Sequence, residues 1–403
     1  MLITIMVSVT VFSTVILLLV ALLLVAEKRL VPQGEVTLTI NDKEKLHVAP
    51  GGTLLSALSG RDIFVPSACG GGGTCAMCTC RVLEGGGEIL PTELTHVSRR
   101  DAKQHVRLAC QVKVRNDMAI ELPPSVFAVR QYTGTVTSNA NVSTFIKYLN
   151  IELDDGQTLD FQAGGYVQIN VPVGEYAFKN FDIPSEYRDD WDKDNLWRYR
   201  AEVVEPVFRA YSMANHPAEG NKVSLTVRIA PPEKAGVPPG LCSSYLFSLK
   251  QGDKVTLSGP YGEFFIKETD REMVYIGGGA GMAPMRSHLF HLFHTLKTKR
   301  KVTFFYGARS LRENFFAEEF EAIAKQFPNF HYVLALSEPL PRDNWRGPQG
   351  FIHQAAYETL LKDHEDPTEV EYYLCGPPVM VDACTAMLTD LGVEEDMIAF
   401  DAF

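Results

Sequence analysis

Hydrophobic and polar positions divide the chain into four stretches. Residues 1–26 carry no charged side chain and are mostly Leu, Val and Ile. As a helix they would reach about 39 Å, more than the ~30 Å hydrocarbon core of a bilayer. Pro32-Gln33-Gly34 then breaks the pattern as a short linker. Val36, Leu38 and Ile40 alternate with polar neighbours and predict a strand over 35–40, with 47–49 as its hairpin partner. A short helix over 53–59 and strands over 106–110 and 118–122 complete a unit at 33–126. From 130 to 266 short alternating runs follow one another at 132–137, 144–153, 166–171, 223–229 and 254–258. Regular short strands with turn signals between them predict a small antiparallel β-barrel. From 270 to 403 the pattern changes again. Met273-Val274-Tyr275-Ile276 is an unbroken apolar strand, an amphipathic helix is expected over 288–296, and further strands over 301–306, 331–336 and 371–374. Strands alternating with helices predict an α/β unit on a parallel sheet.

Two readings of residues 1–26 compete. A cleaved signal peptide would need a basic start and a small-residue cleavage site, and neither is present. Glu27-Lys28-Arg29 follow the run at once, which puts the C-terminal side in the cytoplasm. The expectation is a retained single-pass transmembrane anchor, covering 1–31 with its flank. It carries no ionisable residue and so offers no ion path by itself. The formal net charge of -11 argues against a nucleic-acid partner. The cysteines are clustered and glycine-flanked, unlike a secreted disulfide framework, which suits a reducing compartment.

The densest chemistry lies at 69–80, Cys-Gly-Gly-Gly-Gly-Thr-Cys-Ala-Met-Cys-Thr-Cys. Cys69, Cys75 and Cys78 have the spacing C-x5-C-x2-C, and Cys110 follows after 31 residues. This resembles the ligand set of a ferredoxin-type [2Fe–2S] cluster, and the unit at 33–126 resembles the β-grasp fold of ferredoxins. Gly70 to Gly73 would supply positive φ and backbone N–H groups close to the sulfurs. The competing reading is structural zinc, which more often uses two separated C-x2-C pairs. The x5 gap departs from the x4 of plant-type ferredoxins and resembles the adrenodoxin-like variant. Cys80 is expected to be a packed thiol, and Arg99-Arg100-Asp101 a solvated helix face.

Two sites mark the barrel. Arg209-Ala210-Tyr211-Ser212 resembles the R-x-Y-[ST] signature of the ferredoxin–NADP reductase superfamily. The resemblance implies FAD, with Arg209 on its pyrophosphate, Tyr211 against the isoalloxazine and Ser212 reaching N5. Gly240-Leu241-Cys242-Ser243-Ser244 resembles the phosphate-binding G-x-C-S turn of that family, with Ser243 and Ser244 opening a helix whose N-terminus favours an anion. Gly259-Pro260-Tyr261-Gly262-Glu263-Phe264 fits its closing turn. Between Asn170 and Arg209 the chain inserts 38 residues, with Trp191 and Trp197. That insertion, at about 171–208, is either a decorated surface loop or a docking surface for a partner.

In the last stretch the strand 273–276 runs into Gly277-Gly278-Gly279-Ala280-Gly281-Met282-Ala283-Pro284, and 371–374 runs into Cys375-Gly376-Pro377-Pro378. These resemble the G-G-G-x-G-x-A-P and C-G-P motifs of the superfamily's Rossmann-like nicotinamide domain, which places Cys375 near the nicotinamide. NADH is expected over NADPH. Arg309, at the end of the next strand, and Arg312 are the basic groups that could contradict this. The terminal Phe403 is expected to lie on the flavin, opposite Tyr211, with a core-packed Phe400 as its competitor.

Together the anchor, the x5 spacing, the insertion and the terminal aromatic resemble one family along the whole chain, the F subunits of sodium-translocating NADH:quinone oxidoreductases. That resemblance implies FAD, one [2Fe–2S] cluster, NADH as donor, partner subunits A to E, and a place in the bacterial inner membrane with the catalytic domains on the cytoplasmic side. Quinone reduction and sodium transport would then be completed elsewhere in the complex. The alternatives are an anchored reductase feeding an oxygenase or desaturase, and a non-enzymatic assembly or iron-sensing module.

Overall fold

The computed structural model describes the backbone of residues 2–30, 34–232, 234 and 236–402, and the side chains of these except at 2–5, 8, 23–30 and 402. Pro32, Gln33 and Phe403 lie outside the described residues. The chain divides into two compact units, Met1–Val129 and Arg130–Phe403.

The first unit opens with one helix, α1 (Leu2–Leu30). Its longest uninterrupted run of described side chains is 9–22, all exposed. Among the described residues no helix is long and apolar enough to cross a membrane. The hydroxyls of Thr10 and Thr14 donate back to the carbonyls of Met6 and Thr10 at 2.8 Å, so these polar groups are satisfied within the helix.

There follow β1 (Val36–Ile40), β2 (Glu44–Val48), α2 (Leu54–Ser59), β3 (Thr79–Glu84), α3 (Arg99–Lys103), β4 (Val106–Leu108) and β5 (Met118–Glu121). The sheet order is β2-β1-β5-β3-β4. β5 sits in the middle, parallel to β1 and antiparallel to β3, rather than closing an edge. The alternation that predicts β1 is its burial pattern, with Val36, Leu38 and Ile40 inward. Thr53 caps α2 by accepting from the Ser56 N–H at 3.1 Å, and Leu54, Leu55 and Leu58 are its buried face. α3 buries none of its residues, as Arg99-Arg100-Asp101 predicts.

A buried ion pair ties this unit together. Arg107 on β4 forks onto Glu93 through Nε–Oε1 at 2.9 Å and Nη2–Oε2 at 2.8 Å. Its remaining N–H groups donate to the carbonyls of Gly86, Gly87 and Glu88 at 3.0–3.1 Å. Glu93 also accepts from the backbone of Leu90 and Leu108. Both side chains are almost wholly buried, yet every charge has partners. The pair fastens the 85–97 loop to the strand that delivers Cys110.

The second unit begins with β6 (Arg130–Ser143), β7 (Ile146–Leu153), β8 (Tyr166–Val171), β9 (Gly174–Ala177), α4 (Arg188–Lys193), β10 (Arg200–Val203), β11 (Val207–Ser212), β12 (Lys222–Arg228), α5 (Leu241–Ser248) and β13 (Lys254–Tyr261). Six strands form an antiparallel sheet in the order β11-β8-β13-β6-β7-β12. A bridge between Met213 and Leu225 brings its two ends together and closes the barrel. The insertion is not a loop lying on that barrel. β9 and β10 pair as a separate hairpin, and α4 drives Trp191 into the barrel core. Trp191 is fully buried against Phe178, Phe181 and Phe247 and donates its Nε1 to the Thr144 carbonyl at 2.9 Å.

The remainder alternates β14 (Met273–Gly278), α6 (Met282–Phe290), β15 (Val302–Ala308), α7 (Ala317–Gln326), β16 (Phe330–Leu336), α8 (Ile352–Thr359), β17 (Glu371–Gly376), α9 (Pro378–Asp390) and β18 (Ile398–Ala402). All five strands are parallel, in the order β16-β15-β14-β17-β18. Two differences from expectation matter. The helix predicted over 288–296 begins at Met282, is buried through Leu289, and ends in a π-helical turn, His291–Thr295. It reads as amphipathic only until the barrel is seen to cover its polar side. There Arg286 donates to the Ala214 carbonyl at 2.9 Å and pairs with Glu219 and Glu319. The fifth strand, β18, escapes a periodicity reading because its partner is a distant strand. Phe400 on β18 is 57% exposed, which removes it from the core.

Removing Arg107 should leave Glu93 buried and uncompensated. Arg107→Ala is expected to cost about 3–5 kcal/mol, read as a lowered unfolding midpoint. Burial opposes the Glu93 charge, but Arg107 and the two N–H groups outweigh it and hold the carboxyl below its ordinary range. Its contribution is therefore complete above about pH 5 and is lost as pH falls through the folded value. The acid limb of a stability–pH curve should flatten in Glu93→Gln, and an unchanged limb would show that this pair does not govern it.

Candidate functional sites

The cluster loop is gathered from α2, the glycine turn and the segment after β4. Gly70, Gly71 and Gly73 all have positive φ, as does Ala76. Cys110 lies just past the end of β4, with Ala109 N–H bonded to the Cys78 carbonyl at 2.9 Å. The four cysteines expected as ligands come together as two pairs. The sulfurs of Cys75 and Cys69 are 3.4 Å apart, and the thiols of Cys78 and Cys110 interact as a second pair. Among the described residues no three His, Cys, Asp or Glu side chains gather closely enough to hold one metal ion. Two pairs of thiols suit two irons better than one zinc.

The surrounding donors point the same way. Burial would raise Cys69, yet N–H groups of Thr74, Cys75 and Gly71 and the Cys75 thiol bring it down to about 6. The Cys78 thiol, with help from Gln111 and the Gly73 N–H, brings Cys110 down to about 7 against burial. Gln111 Nε2 donates to the Cys110 sulfur at 3.6 Å. A Cβ at Gly73 would stand 2.6 Å from that amide, so only glycine leaves it in place. Cys80 is different. It is buried on β3, and burial pushes its thiol up to about 12.

At the barrel, β11 pairs with β8 so that Arg209 faces Ile169 and Ser212 faces Tyr166. Every residue of β11 is half-buried, whereas β7, β8, β12 and β13 bury most of theirs. β11 thus presents a partly uncovered strip, which fits a flat ligand lying along it. Arg209 donates to the Phe208 carbonyl at 2.8 Å and is half-buried. Tyr211 and the Cys242 thiol influence each other electrostatically, which brings the two sequence motifs to one place. Burial first, and Cys242 second, hold that phenol well above its ordinary range. Gly240 starts α5, and its carbonyl accepts from Ser243 Oγ at 3.1 Å and Ser244 Oγ at 2.7 Å. Ser243 Oγ also accepts from the Ala230 N–H at 3.2 Å. Both serines thus shape the turn itself, and Ser244 is fully buried.

The third site lies where the strand order reverses, between β14 and β17. Gly277 is in register with Cys375. Gly279 has φ +58° and open space where a side chain would be, while a Cβ at Gly281 would meet the Cys375 carbonyl at 2.1 Å. The turn is therefore both an open cradle and a close backbone contact, as a dinucleotide loop requires. Pro284 is buried in the first turn of α6, and Gly376 and Pro377 lead into α9. Arg309 lies off the end of β15, half-exposed. Cys375 is fully buried, and burial, then Asp401, raises its thiol well above the ordinary range.

Asp401 is the residue that motif reading does not find. β18 lies parallel to β17 and sets Asp401 opposite Cys375. Its Oδ2 is 2.7 Å from Ser212 Oγ. Burial raises the Asp401 carboxyl despite that bond. One contact thus links Ser212 of the barrel to the nicotinamide sheet. Phe403, expected against the flavin, lies outside the described residues.

The chain matches the family descriptions of a 2Fe-2S iron-sulfur cluster binding domain over 38–115, an oxidoreductase FAD-binding domain over 198–266 and an oxidoreductase NAD-binding domain over 275–386. In fold it is similar to the Amycolatopsis cytochrome P450 reductase GcoB (24% identity, TM-score 0.64, covering 91% of this chain and 98% of that one). It is likewise similar to the ferredoxin reductase in carbazole 1,9a-dioxygenase (25%, TM-score 0.61, 92% and 98%). Over 401 residues it is 53% identical to the F subunit of the Na(+)-translocating NADH-quinone reductase of Neisseria gonorrhoeae, covering 99% of each chain. Over 393 residues it is 54% identical to that of Pseudomonas aeruginosa, covering 97% of each. With three cofactor domains in this order and identity at this level along the whole length, the chain belongs to the family of F subunits of Na(+)-translocating NADH-quinone reductases.

Proposed function

We propose that the chain is the electron-input subunit of such a complex, organised as a membrane anchor (1–31), a ferredoxin domain (33–126), an FAD barrel (130–266) and an NADH domain (270–403). The observation that carries this reading is the Ser212–Asp401 contact, which sets the flavin strip against the end of the nicotinamide sheet. Bound FAD supplies the conversion of a hydride pair into single electrons, and the [2Fe–2S] cluster takes them one at a time. The protein's part is alignment and the exclusion of water.

Arg209 holds the flavin pyrophosphate with a fixed cation, and the α5 N-terminus shaped by Gly240, Cys242, Ser243 and Ser244 adds N–H donors. Tyr211 covers the ring system. Gly277, Gly278, Gly279, Gly281 and Pro284 seat the NADH pyrophosphate, while Cys375, Gly376 and Pro377 border the nicotinamide. Asp401, whose carboxyl burial raises, accepts from Ser212 Oγ and would be the group that exchanges a proton there. Cys69, Cys75, Cys78 and Cys110 hold the irons. Partner subunits, A to E by the family's naming, take the electrons onward to quinone and couple them to sodium transport. The α1 helix anchors the chain as a single pass in the bacterial inner membrane. A threonine-bonded apolar helix with exposed side chains suits that role.

Three tests follow from these assignments. Cys110→Ala should abolish the paramagnetic signal of the reduced cluster while FAD stays bound, whereas Cys80→Ala should keep it. A full signal in Cys110→Ala rules out the ligand set. Asp401→Asn preserves a hydrogen-bonding group but cannot titrate. FAD content and NADH affinity should hold within about twofold, while NADH oxidation with a soluble acceptor slows by about tenfold or more. The wild-type rate should also show a titration above the ordinary carboxylate range that the variant lacks. Loss of FAD in Asp401→Asn would make its role structural. A chain beginning at Gly34 should oxidise NADH at the full rate and fail to sediment with membranes. Membrane recovery of that chain would place the anchor elsewhere.

A further inference from the structure

We infer that the 171–208 insertion sets the choice of NADH over NADPH, by presenting Asp189 and Asp190 to the guanidinium of Arg312. The inference rests on the dinucleotide placement proposed above. In a doubly wound sheet the adenosine ribose lies off the end of the strand beside the phosphate loop, here β15. Beyond β15 the chain runs through Arg309 and Ser310 into a short turn, Leu311–Glu313. A cleft of about 480 Å³ opens there, lined by Arg309, Arg312 and Arg342 together with Asp189, Asp190 and Glu313.

In sequence, Arg309 and Arg312 look like the basic groups of a 2′-phosphate pocket. The insertion changes what they can do. Arg312 forks onto Asp189, Nη2–Oδ1 at 2.5 Å and Nη1–Oδ2 at 3.1 Å, and its Nη1 also reaches Asp190 Oδ2 at 3.3 Å. It lies over the Tyr187 ring, 5.4 Å from the centroid, so the insertion contributes all three of these contacts. Arg309 rests over Phe145 at 5.9 Å and faces Glu313 at 3.9 Å. Glu313 in turn is held by the N–H and hydroxyl of Thr144.

The three guanidinium groups and three carboxylates cancel in formal charge. A 2′-phosphate would carry about two negative charges at neutral pH. It would enter a cleft with no net positive charge, and would have to compete with two aspartates for the Arg312 fork. A neutral 2′-hydroxyl meets no such obstacle and finds acceptors. Stability does not explain the pair well. Asp189 is 70% exposed, and an exposed ion pair contributes little to folding. Its place at the mouth of the cleft is what gives it consequence.

The test uses the full-length, FAD-loaded protein and measures binding of 5′-ADP and of adenosine 2′,5′-bisphosphate by calorimetry. In the wild type the extra phosphate should not improve binding. In D189N/D190N the bisphosphate should bind at least tenfold tighter, with 5′-ADP unchanged within twofold, and kcat/KM for NADPH should rise in parallel. Adding Arg312→Ala to that variant should remove the gain. Should the double variant lose its FAD, Asp189→Ser changes only an exposed side chain and should still give a gain of threefold or more. If both ligands shift together, or neither shifts, the aspartates only brace the insertion and the inference falls. If 5′-ADP fails to compete with NADH in the wild type, it is the dinucleotide placement that falls, and the inference with it.

Discussion

The nicotinamide end of the molecule depends on one close approach, that of Gly281 to the carbonyl of Cys375. At 2.1 Å from a would-be Cβ, that carbonyl admits only glycine. The contact clamps the phosphate turn against the end of β17 and so fixes where α6 begins. α6 then buries Arg286, Ser287 and His288 between the sheet and the barrel. Each of these polar groups is satisfied by the barrel side. Arg286 reaches Ala214 and Glu219, Ser287 accepts from the Gly164 N–H, and His288 bonds the Phe264 carbonyl. Burial lowers His288 to about 4, so it packs as a neutral ring at physiological pH.

A polar but fully paired seam is a specific one, because a shifted alignment would strand buried donors. The same seam sets β18 against β17 and carries Asp401 to Ser212. Hydride transfer is demanding in distance and orientation and needs little acid–base help. A barrel and a sheet joined through buried polar contacts meet that demand better than two domains on a free linker.

In the first unit the comparable constraint is the Arg107–Glu93 pair. A buried ion pair is weak as a source of net stability, but it is unforgiving of rearrangement. Here it fixes a loop with little regular structure beside the strand leading to Cys110. The insertion follows another logic. Its core is apolar and merges with the barrel through Trp191, while its outer edge carries Asp189 and Asp190 to Arg312, beyond the end of β15.

Local chemistry alone determined much of this protein. The spacing of Cys69, Cys75, Cys78 and Cys110, the R-x-Y-S stretch, the glycine turn after β14 and the Cys-Gly-Pro turn after β17 are each dictated by what a few consecutive residues must do. They are legible because the chemistry is confined to one turn. The alternation that predicts β1 is legible for the same reason, since burial on one face has a short period. Tertiary structure decided the rest. Asp401 meets Ser212 only because β18 adds to the sheet beside β17, and no signal within 398–402 announces that partner. α6 reads as amphipathic until a barrel carbonyl 72 residues upstream covers its polar side. Arg312 reads as a basic group that could reach a 2′-phosphate until Asp189, 123 residues away, takes its fork. Ion pairs and buried hydrogen bonds join residues far apart in sequence, and a linear pattern carries their chemistry but not their partners.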